Sequence, residues 1–377
     1  MKKSSSCASC KGSRTKTAKT LSLYSVLKLI RLSTAEDFEA LLTQGLISSI
    51  NMRNGRGETL LMFHCMNKCL SGVKLLIEHG ADVNITDGRG NSALILACRH
   101  YKDDAKEECA SIIQRLVAKG ADMNIACSFL SPIRGYQYGT AFFEALITNR
   151  IEVLRLLLEL GVRTDAVHQN PLVEACTMRN MAVIRLLLSH GADVNIIDNG
   201  CRTCMSIACE HGYDDLAELL LDHGADMDAK TGRYGQTPFL LACINVHLST
   251  VKLLLDRGAD ANLTGDAIPL IAVCQYRYMA RHKSDLDLID LLLEYGADIN
   301  AESDGLCALG EANRCYRREV IIHLLERGAD LYKEDGVTPI AYITHGLFTT
   351  DPEIIALFEK NCESNKRAYR ALQPLLK

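Results

Sequence analysis

Apolar positions along this chain fall into pairs of short helical stripes separated by polar, glycine-bearing loops, and the pairing recurs. In Val251-Lys252-Leu253-Leu254-Leu255-Asp256-Arg257 the apolar residues keep helical spacing, and Gly258-Ala259-Asp260 follows at once. The phrase Leu-Leu-x-x-Gly-Ala-Asp, or a degenerate copy, places glycines at Gly45, Gly80, Gly120, Gly161, Gly191, Gly224, Gly258, Gly296 and Gly328. Their separations are 35, 40, 41, 30, 33, 34, 38 and 32 residues. A period near ~33 residues marks stacked supersecondary units, none of which buries its apolar face alone.

A second phrase follows each glycine: Thr237-Pro238-Phe239-Leu240-Leu241-Ala242 and Thr338-Pro339-Ile340-Ala341 are the clearest copies, Ser92-Ala93-Leu94, Asn170-Pro171-Leu172 and Thr203-Cys204-Met205 looser ones. Thr, Ser or Asn before the apolar run reads as an N-cap, and proline suits the first helical position. Glycine after the second stripe supplies a left-handed C-cap. The residue before it is often basic (Lys119, Arg257, Arg327, His79, His190, His223), which suits the helix dipole. Each unit is therefore expected to be helix–turn–helix–loop.

With both phrases in register over many copies, residues 21–362 resemble the ankyrin repeat family. The resemblance implies an all-α repeat solenoid: an ankyrin-like stack of about ten helix–turn–helix units with short β-hairpin fingers at the junctions. The expected organisation is a disordered basic tail at 1–20, an array at 21–362 and a short C-terminal tail at 363–377. Within the array, 21–52 reads as an N-terminal cap, 53–336 as central repeats and 337–362 as a C-terminal cap. The first pair has its own start signal, Thr34-x-x-Asp37; the last is expected to use Asp351 as N-cap, Pro352 at the first helical position and Asn361 in the glycine slot. The family's histidine in Thr-Pro-Leu-His is missing. Its slot holds Met62, Ile95, Phe143, Val173, Ser206, Leu240, Ile271, Gly310 and Ala341, so apolar packing is expected to replace its polar contacts.

Composition agrees with a protein that binds rather than catalyses. Of 377 residues, 48% are apolar and 23% charged, with no run of about twenty apolar residues and no hydrophobic segment after Met1-Lys2-Lys3-Ser4. Neither a membrane span nor a secretory signal is expected, which points to the cytoplasm or nucleus. A net charge of −4 lacks the basic footprint of nucleic-acid binding. Among sixteen cysteines, Cys65, Cys98, Cys176, Cys209, Cys243 and Cys274 share one slot of the first helix, where a small apolar residue is wanted. Equivalent slots lie about 10 Å apart, beyond disulfide reach. Cys201 and Cys204 have no second pair nearby to complete a zinc site. Cys7 and Cys10 lie in a tail with six basic and no acidic residues, read as a solvated segment, with a weak anionic-surface contact or cysteine acylation as the functional options.

Three insertions interrupt the period. Eight steps separate the cysteine slot from the second helix in Cys65–Val73 and Cys243–Val251, but fifteen in Cys98–Ile113 and Cys274–Ile289. Seven residues are nearly two helical turns, and the simplest geometry lengthens both helices by one turn. The second of these protrusions holds Tyr276, Arg277 and Tyr278, residue types favoured as interface anchors. The third insertion enlarges the finger between Gly120 and Thr140 and holds Phe129, Arg134, Tyr136 and Tyr138.

No phosphate loop, zinc-protease motif or nucleophile elbow is present, so no enzyme activity, cofactor or metal is expected. The expected function is a monomeric intracellular scaffold or adaptor that recognises a protein through its concave finger and inner-helix surface. The contact residues expected there are Arg56, Glu58, Arg89, Asn91, Arg202, Arg233, Tyr234 and Gln236, together with the insertions. Two alternatives stay open. One is a substrate-recognition subunit of a ubiquitin ligase, although 363–377 is short for the added helical box of such family members; Leu372, Leu375 and Leu376 would form a docking helix. The other follows from the family resemblance: Asn84, Asn124, Asn195, Asn262 and Asn300 carry the spacing favoured by an asparaginyl hydroxylase.

Overall fold

The computed structural model describes residues 49–131, 135–163, 170–232, 235–262, 267–275, 282–303, 305–330 and 351–362. The basic tail, nearly all of the N-terminal cap, residues 331–350 and the tail at 363–377 lie outside them. The chain divides into two compact units, Met1–Val167 and His168–Lys377.

Among the described residues the first unit holds three helix pairs: α1 (Leu60–Met66) with α2 (Leu70–Glu78), α3 (Ala93–Arg99) with α4 (Lys106–Ala118), and α5 (Ala141–Ile147) with α6 (Ile151–Glu159). A hairpin, β1 (Cys127–Ser131) and β2 (Gly135–Gly139), precedes α5. In the second unit the pairs are α7 (Pro171–Thr177) and α8 (Met181–Ser189), α9 (Cys204–His211) and α10 (Asp214–Asp222), and α11 (Pro238–Ile244) and α12 (Leu248–Asp256). They continue with α13 (Pro269–Gln275) and α14 (His282–Glu294), then a small hairpin, β3 (Glu302–Ser303) and β4 (Leu306–Cys307). The pair α15 (Ala308–Arg314) and α16 (Arg318–Glu326) follows, then α17 (Pro352–Cys362). Within each unit, first helices pack on first helices (α3 between α1 and α5, α11 between α9 and α13), and second helices form the other layer. The architecture is an all-α repeat solenoid.

Each letter of the repeated phrase has a physical task. Gly80, with φ 82°, turns the chain left-handed after α2; its amide donates to Ile77 O (3.1 Å), and the next amide, of Ala81, donates to Leu76 O (2.9 Å). This is the Schellman cap, and the buried alanine supplies the apolar contact that accompanies it. Ala121, Ala192, Ala259 and Ala329 repeat the bond to Leu116, Leu187, Leu254 and Leu324. At the other end, Thr59, Ser92, Thr140, Thr203 and Thr237 cap first helices by accepting the amide three residues on. The vacant histidine slot is not purely apolar. Ser206 Oγ accepts the Thr203 amide (3.0 Å) and Met62 Sδ the Thr59 amide (3.4 Å), so two repeats rebuild a reciprocal cap.

The six cysteines of the shared slot are all at most 1% exposed. Burial pushes the Cys98 and Cys274 thiols up to about 12, so they stay protonated and act as small core residues. Cys201 is exposed and Cys204 fully buried, which separates the Cys-x-x-Cys pair into two environments. No helix of the described residues is long and apolar enough to cross a membrane.

Two expectations need correction. The first seven-residue insertion lengthens only the second helix: α4 has thirteen residues against nine in α8 or α12, while α3 keeps seven; in the second, α14 also has thirteen, and residues 276–281 before it lie outside the described residues. Residues 93–98 of α3 are buried between α1 and α5, and the helix closes at His100, whose amide donates to Leu96 O (3.0 Å). After His100 the chain passes through a 3-10 turn, Asp103–Ala105, and acidic Glu107 and Glu108 then start α4, where the helix dipole favours them. In the last helix Asp351 is the cap, accepting the Glu353 and Ile354 amides (3.0 and 3.3 Å), but Asn361 lies inside α17 rather than ending it.

Candidate protein-docking surface

The fingers are the least fold-determined part of a repeat, and three of them share one internal lock. An Asx side chain accepts two amides of its own finger and holds the side chain four residues on. Asn54 Oδ1 accepts the Arg56 and Glu58 amides (2.9 and 3.0 Å), and its Nδ2 donates to Glu58 Oε2 (2.6 Å). Asp87 accepts the Arg89 and Asn91 amides (both 2.8 Å) and Asn91 Nδ2 (2.8 Å). Asp198 accepts the Gly200 and Arg202 amides (both 2.8 Å) and the Arg202 guanidinium at 3.1 and 2.8 Å. Burial alone would raise the Asp198 carboxyl; the Arg202 amide and guanidinium outweigh it and leave the group below its ordinary range.

This lock gives three of the expected contact residues a role inside their own fingers. Asn91 is 3% exposed and works inside its finger; Glu58 and Arg202 are half-buried and paired within theirs. The signal was present in the sequence as a polar pair at i and i+4 with glycine between: Asn54-Gly-Arg-Gly-Glu58, Asp87-Gly-Arg-Gly-Asn91 and Asp198-Asn-Gly-Cys-Arg202. Arg56 and Arg89 occupy the exposed central position of two adjacent fingers, each with its amide fixed by the lock. The fingers are also tied together: Gly88 N donates to Arg56 O (2.9 Å). A Cβ on Gly57 would fall 2.9 Å from Gly88 N, so glycine is required for that approach. Gln236 is half-buried, its carbonyl accepting the Thr231 amide and hydroxyl (both 2.9 Å). Arg134, Arg233, Tyr234, Tyr276, Arg277 and Tyr278 lie outside the described residues.

The enlarged finger is a ladder of five registered pairs, in which Phe129 stands opposite Gln137, Leu130 opposite Tyr136 and Ser128 opposite Tyr138. Its base is anchored. Cys127 is buried, its Sγ donates to Gly139 O (3.3 Å), and Arg99 lies 3.9 Å from the same sulfur while pairing with Glu144 at 2.8 and 3.3 Å. An arginine in one slot, the N-cap of the second helix, also braces each lengthened repeat from its successor. Arg150 Nη1 donates to Tyr101 O; Arg317 Nη1 donates to Val273 O (2.6 Å) and Nη2 pairs with Asp285. Repeats that follow a neighbour with helices of ordinary length hold Asn180, Tyr213 or His247 there.

The asparagines of the loop phrase also have structural employment. Asn84 Nδ2 donates to Gly120 O (2.9 Å) and its Oδ1 accepts the Asp122 amide (2.7 Å), joining successive repeats. Asn195 does the same with Gly224 and Asp226, and Asn262 with Gly296 and Asp298. Asn300 pairs with Asp330, accepting its amide (2.8 Å) and donating to its carboxylate (2.8 Å). The Asn124 amide donates to Asp122 within its own loop. In four of the five loops these side-chain bonds give the asparagine–aspartate spacing a structural role.

The stacked pairs, Schellman caps and linked fingers define a repeat class built to offer surface. A family profile described as ankyrin repeats in three copies matches residues 30–127, 103–198 and 197–265. The chain belongs to the ankyrin repeat family, whose repeats are protein–protein interaction modules. Among curated relatives, an ankyrin repeat and KH domain-containing protein of Caenorhabditis briggsae is 30% identical over 48% of this chain and 7% of its own. The B-cell lymphoma 3 protein homolog of Mus musculus is 27% identical over 58% of this chain and 44% of its own. The E3 ubiquitin-protein ligase KEG of Arabidopsis thaliana is 25% identical over 73% of this chain and 17% of its own. The chain thus spans less than half the length of each of these three.

Proposed function

We propose that this chain is a non-enzymatic scaffold or adaptor that holds a partner protein against its finger tips and inner helices. The observation that carries this reading is the pair Arg56 and Arg89. Both are exposed, both sit on a backbone fixed by an Asx lock, and their fingers are hydrogen-bonded to each other. A preorganised tip loses little entropy on docking, and arginine is favoured among interface anchors. The test is affinity purification with mass spectrometry using the full chain and the double variant Arg56→Glu/Arg89→Glu. The expected result is loss of specific partners by a variant that circular dichroism shows to be folded. An undiminished partner set would overturn the finger-tip reading. Arg202 is unsuitable for this test, because its reversal would also break the Asp198 pair.

A second reading is a substrate receptor of a ubiquitin ligase. Similarity to a plant protein named as an E3 ligase favours it, and that similarity covers 73% of this chain. Co-purification with a cullin supports this reading; its absence from the captured set removes it.

A further inference from the structure

Along the loop edge of the stack one side-chain bridge repeats. The asparagine of the loop phrase donates its Nδ2 to the carbonyl of the next repeat's glycine, and its Oδ1 accepts the amide of the next aspartate. Asn84 does so with Gly120 and Asp122, Asn195 with Gly224 and Asp226, and Asn262 with Gly296 and Asp298. Asn300 makes the corresponding pair with the amide and carboxylate of Asp330. At one junction of the second unit the asparagine slot holds Asp228 instead, in Gly224-Ala225-Asp226-Met227-Asp228. Its own amide still donates to Asp226 Oδ1 (2.9 Å), as the Asn195 and Asn262 amides do to Asp193 and Asp260. Among the described residues its side chain bonds to neither Gly258 nor Asp260, the next two partners in the row.

The reason lies in the functional group. A side-chain amide carries a donor and an acceptor, whereas an ionised carboxylate carries acceptors only. Ionised Asp228 has no hydrogen to offer the Gly258 carbonyl. The charged groups acting on it are both carboxylates, Asp226 in its own loop and Asp260 in the next. Burial and these two neighbours push its carboxyl above its ordinary value. Once protonated, the side chain matches asparagine in shape and in bonding: its hydroxyl stands where Nδ2 would be, and its carbonyl oxygen where Oδ1 would be.

We propose that Asp228 is a proton-operated clasp, whose bridge to Gly258 and Asp260 is open while the carboxylate is ionised and closed when it is protonated. The packing of α9 on α11 does not depend on it, so the change is confined to the loop edge. Residues 224–232 lead there into the finger that Thr231 and Gln236 close, and near neutral pH this finger is held less firmly than in acid. The bridge is fully present below the unfolded carboxyl pKa of roughly 3.9 and is lost as pH rises through the raised folded value. The inference goes beyond the partner-binding reading and does not rest on it.

Amide hydrogen exchange measured by NMR on the full chain tests it, for wild type and Asp228→Asn, with each rate divided by its intrinsic value at that pH. Circular dichroism confirms that each protein is folded. At pH 7 the Asp260 amide is expected to exchange about fivefold more slowly in Asp228→Asn, the usual net effect of one hydrogen bond. That difference should shrink as pH falls to 4, because the wild-type clasp then closes; Asp226 and Asp260 titrate in both proteins. Asn195→Asp transplants the device: the Asp226 amide is expected to lose protection at pH 7 and regain it in acid. Equal protection of the Asp260 amide in wild type and Asp228→Asn at pH 7 overturns the proposal. So does a difference that stays constant between pH 7 and pH 4, or an Asn195→Asp protein whose Asp226 amide keeps its protection.

Discussion

The imidazole of His64 occupies space that any side chain on Gly72 would need: a Cβ built there falls 2.8 Å from the ring Cγ. Elsewhere the same two slots hold the opposite sizes, Ala97 with Ile112, Ala175 with Val183 and Ala208 with Leu216. A large residue on the first helix with none on the second has been exchanged for the reverse. Gly72→Val alone is expected to destabilise by about 1–3 kcal/mol through overpacking, and His64→Ala alone by about 2–4 kcal/mol through a cavity. The double variant should restore the pattern of the other repeats and recover most of both losses. Denaturant unfolding of all four proteins measures the coupling, and additive losses would show that the two slots do not share volume.

His64 also makes the first described repeat acid-sensitive. It is 5% exposed, and burial pulls its pKa down from 6.5 to about 4. The unfolded chain therefore takes up a proton near pH 6.5 and the folded chain only near pH 4. Its neutral form supports folding fully above pH 6.5, and this contribution is lost progressively as pH falls towards 4. The total is roughly 3 kcal/mol, at 1.4 kcal/mol per unit of pKa. Stability measured between pH 7 and pH 4 should fall more steeply for wild type than for His64→Ala/Gly72→Val. Parallel curves would mean that His64 is protonated alike in both states.

The repeat and its helix pairs were legible in the sequence because each letter of the phrase answers a backbone need of its own unit. Gly80 and Ala81 make their cap with Leu76 and Ile77, a few residues away. What escaped notice were side chains whose partners lie in another repeat, as with Arg317 and Val273, or behind a short offset read as surface, as with Asn91 and Asp87. The insertion lengths were visible, but their division between two helices was not. That division lies where α3 closes at His100 and the chain enters the 3-10 turn Asp103–Ala105, a change that the apolar spacing does not mark.

The finger lock predicts a split between finger arginines. Arg202→Glu should lower stability by roughly 1–2 kcal/mol, since it replaces a bidentate guanidinium with a second carboxylate beside Asp198. Arg56→Glu, exposed at a finger tip, should change it by less than about 0.5 kcal/mol. Thermal melts of the two variants decide this, and equal losses would remove the distinction between lock and tip.

Between the two helices of a repeat the chain passes through the left-handed region. Gly212 does so at φ 69°, but Asn149, Arg179 and Val246 do so with side chains, at φ 54°, 53° and 57°. The β-branched valine is the most strained of these. Val246→Asn should raise stability by about 1 kcal/mol, because asparagine tolerates this region, whereas Asn149→Gly should gain almost nothing. A melting temperature that fails to rise for Val246→Asn would show that valine packing outweighs the strain.

Arg317 should be the most costly arginine to remove. Its guanidinium pairs with Asp285, and the two side chains are 11% and 4% exposed; its other nitrogen satisfies the Val273 carbonyl at the root of the second insertion. Arg317→Met keeps the stem but leaves a buried carboxylate without its cation, a loss of about 3–5 kcal/mol. The double variant Arg317→Met/Asp285→Leu removes both charges and should regain much of that loss. By contrast, Arg257 bridges Asp222 and Glu218 at 3.0 and 3.5 Å between exposed side chains. Arg257→Met should cost less than about 1 kcal/mol. Hydrogen exchange adds a spatial check: Arg317→Met is expected to lose protection in α13, α14 and α15 while α9 and α10 keep theirs. Uniform loss along the second unit would instead mean that this pair supports the whole stack rather than the lengthened repeat.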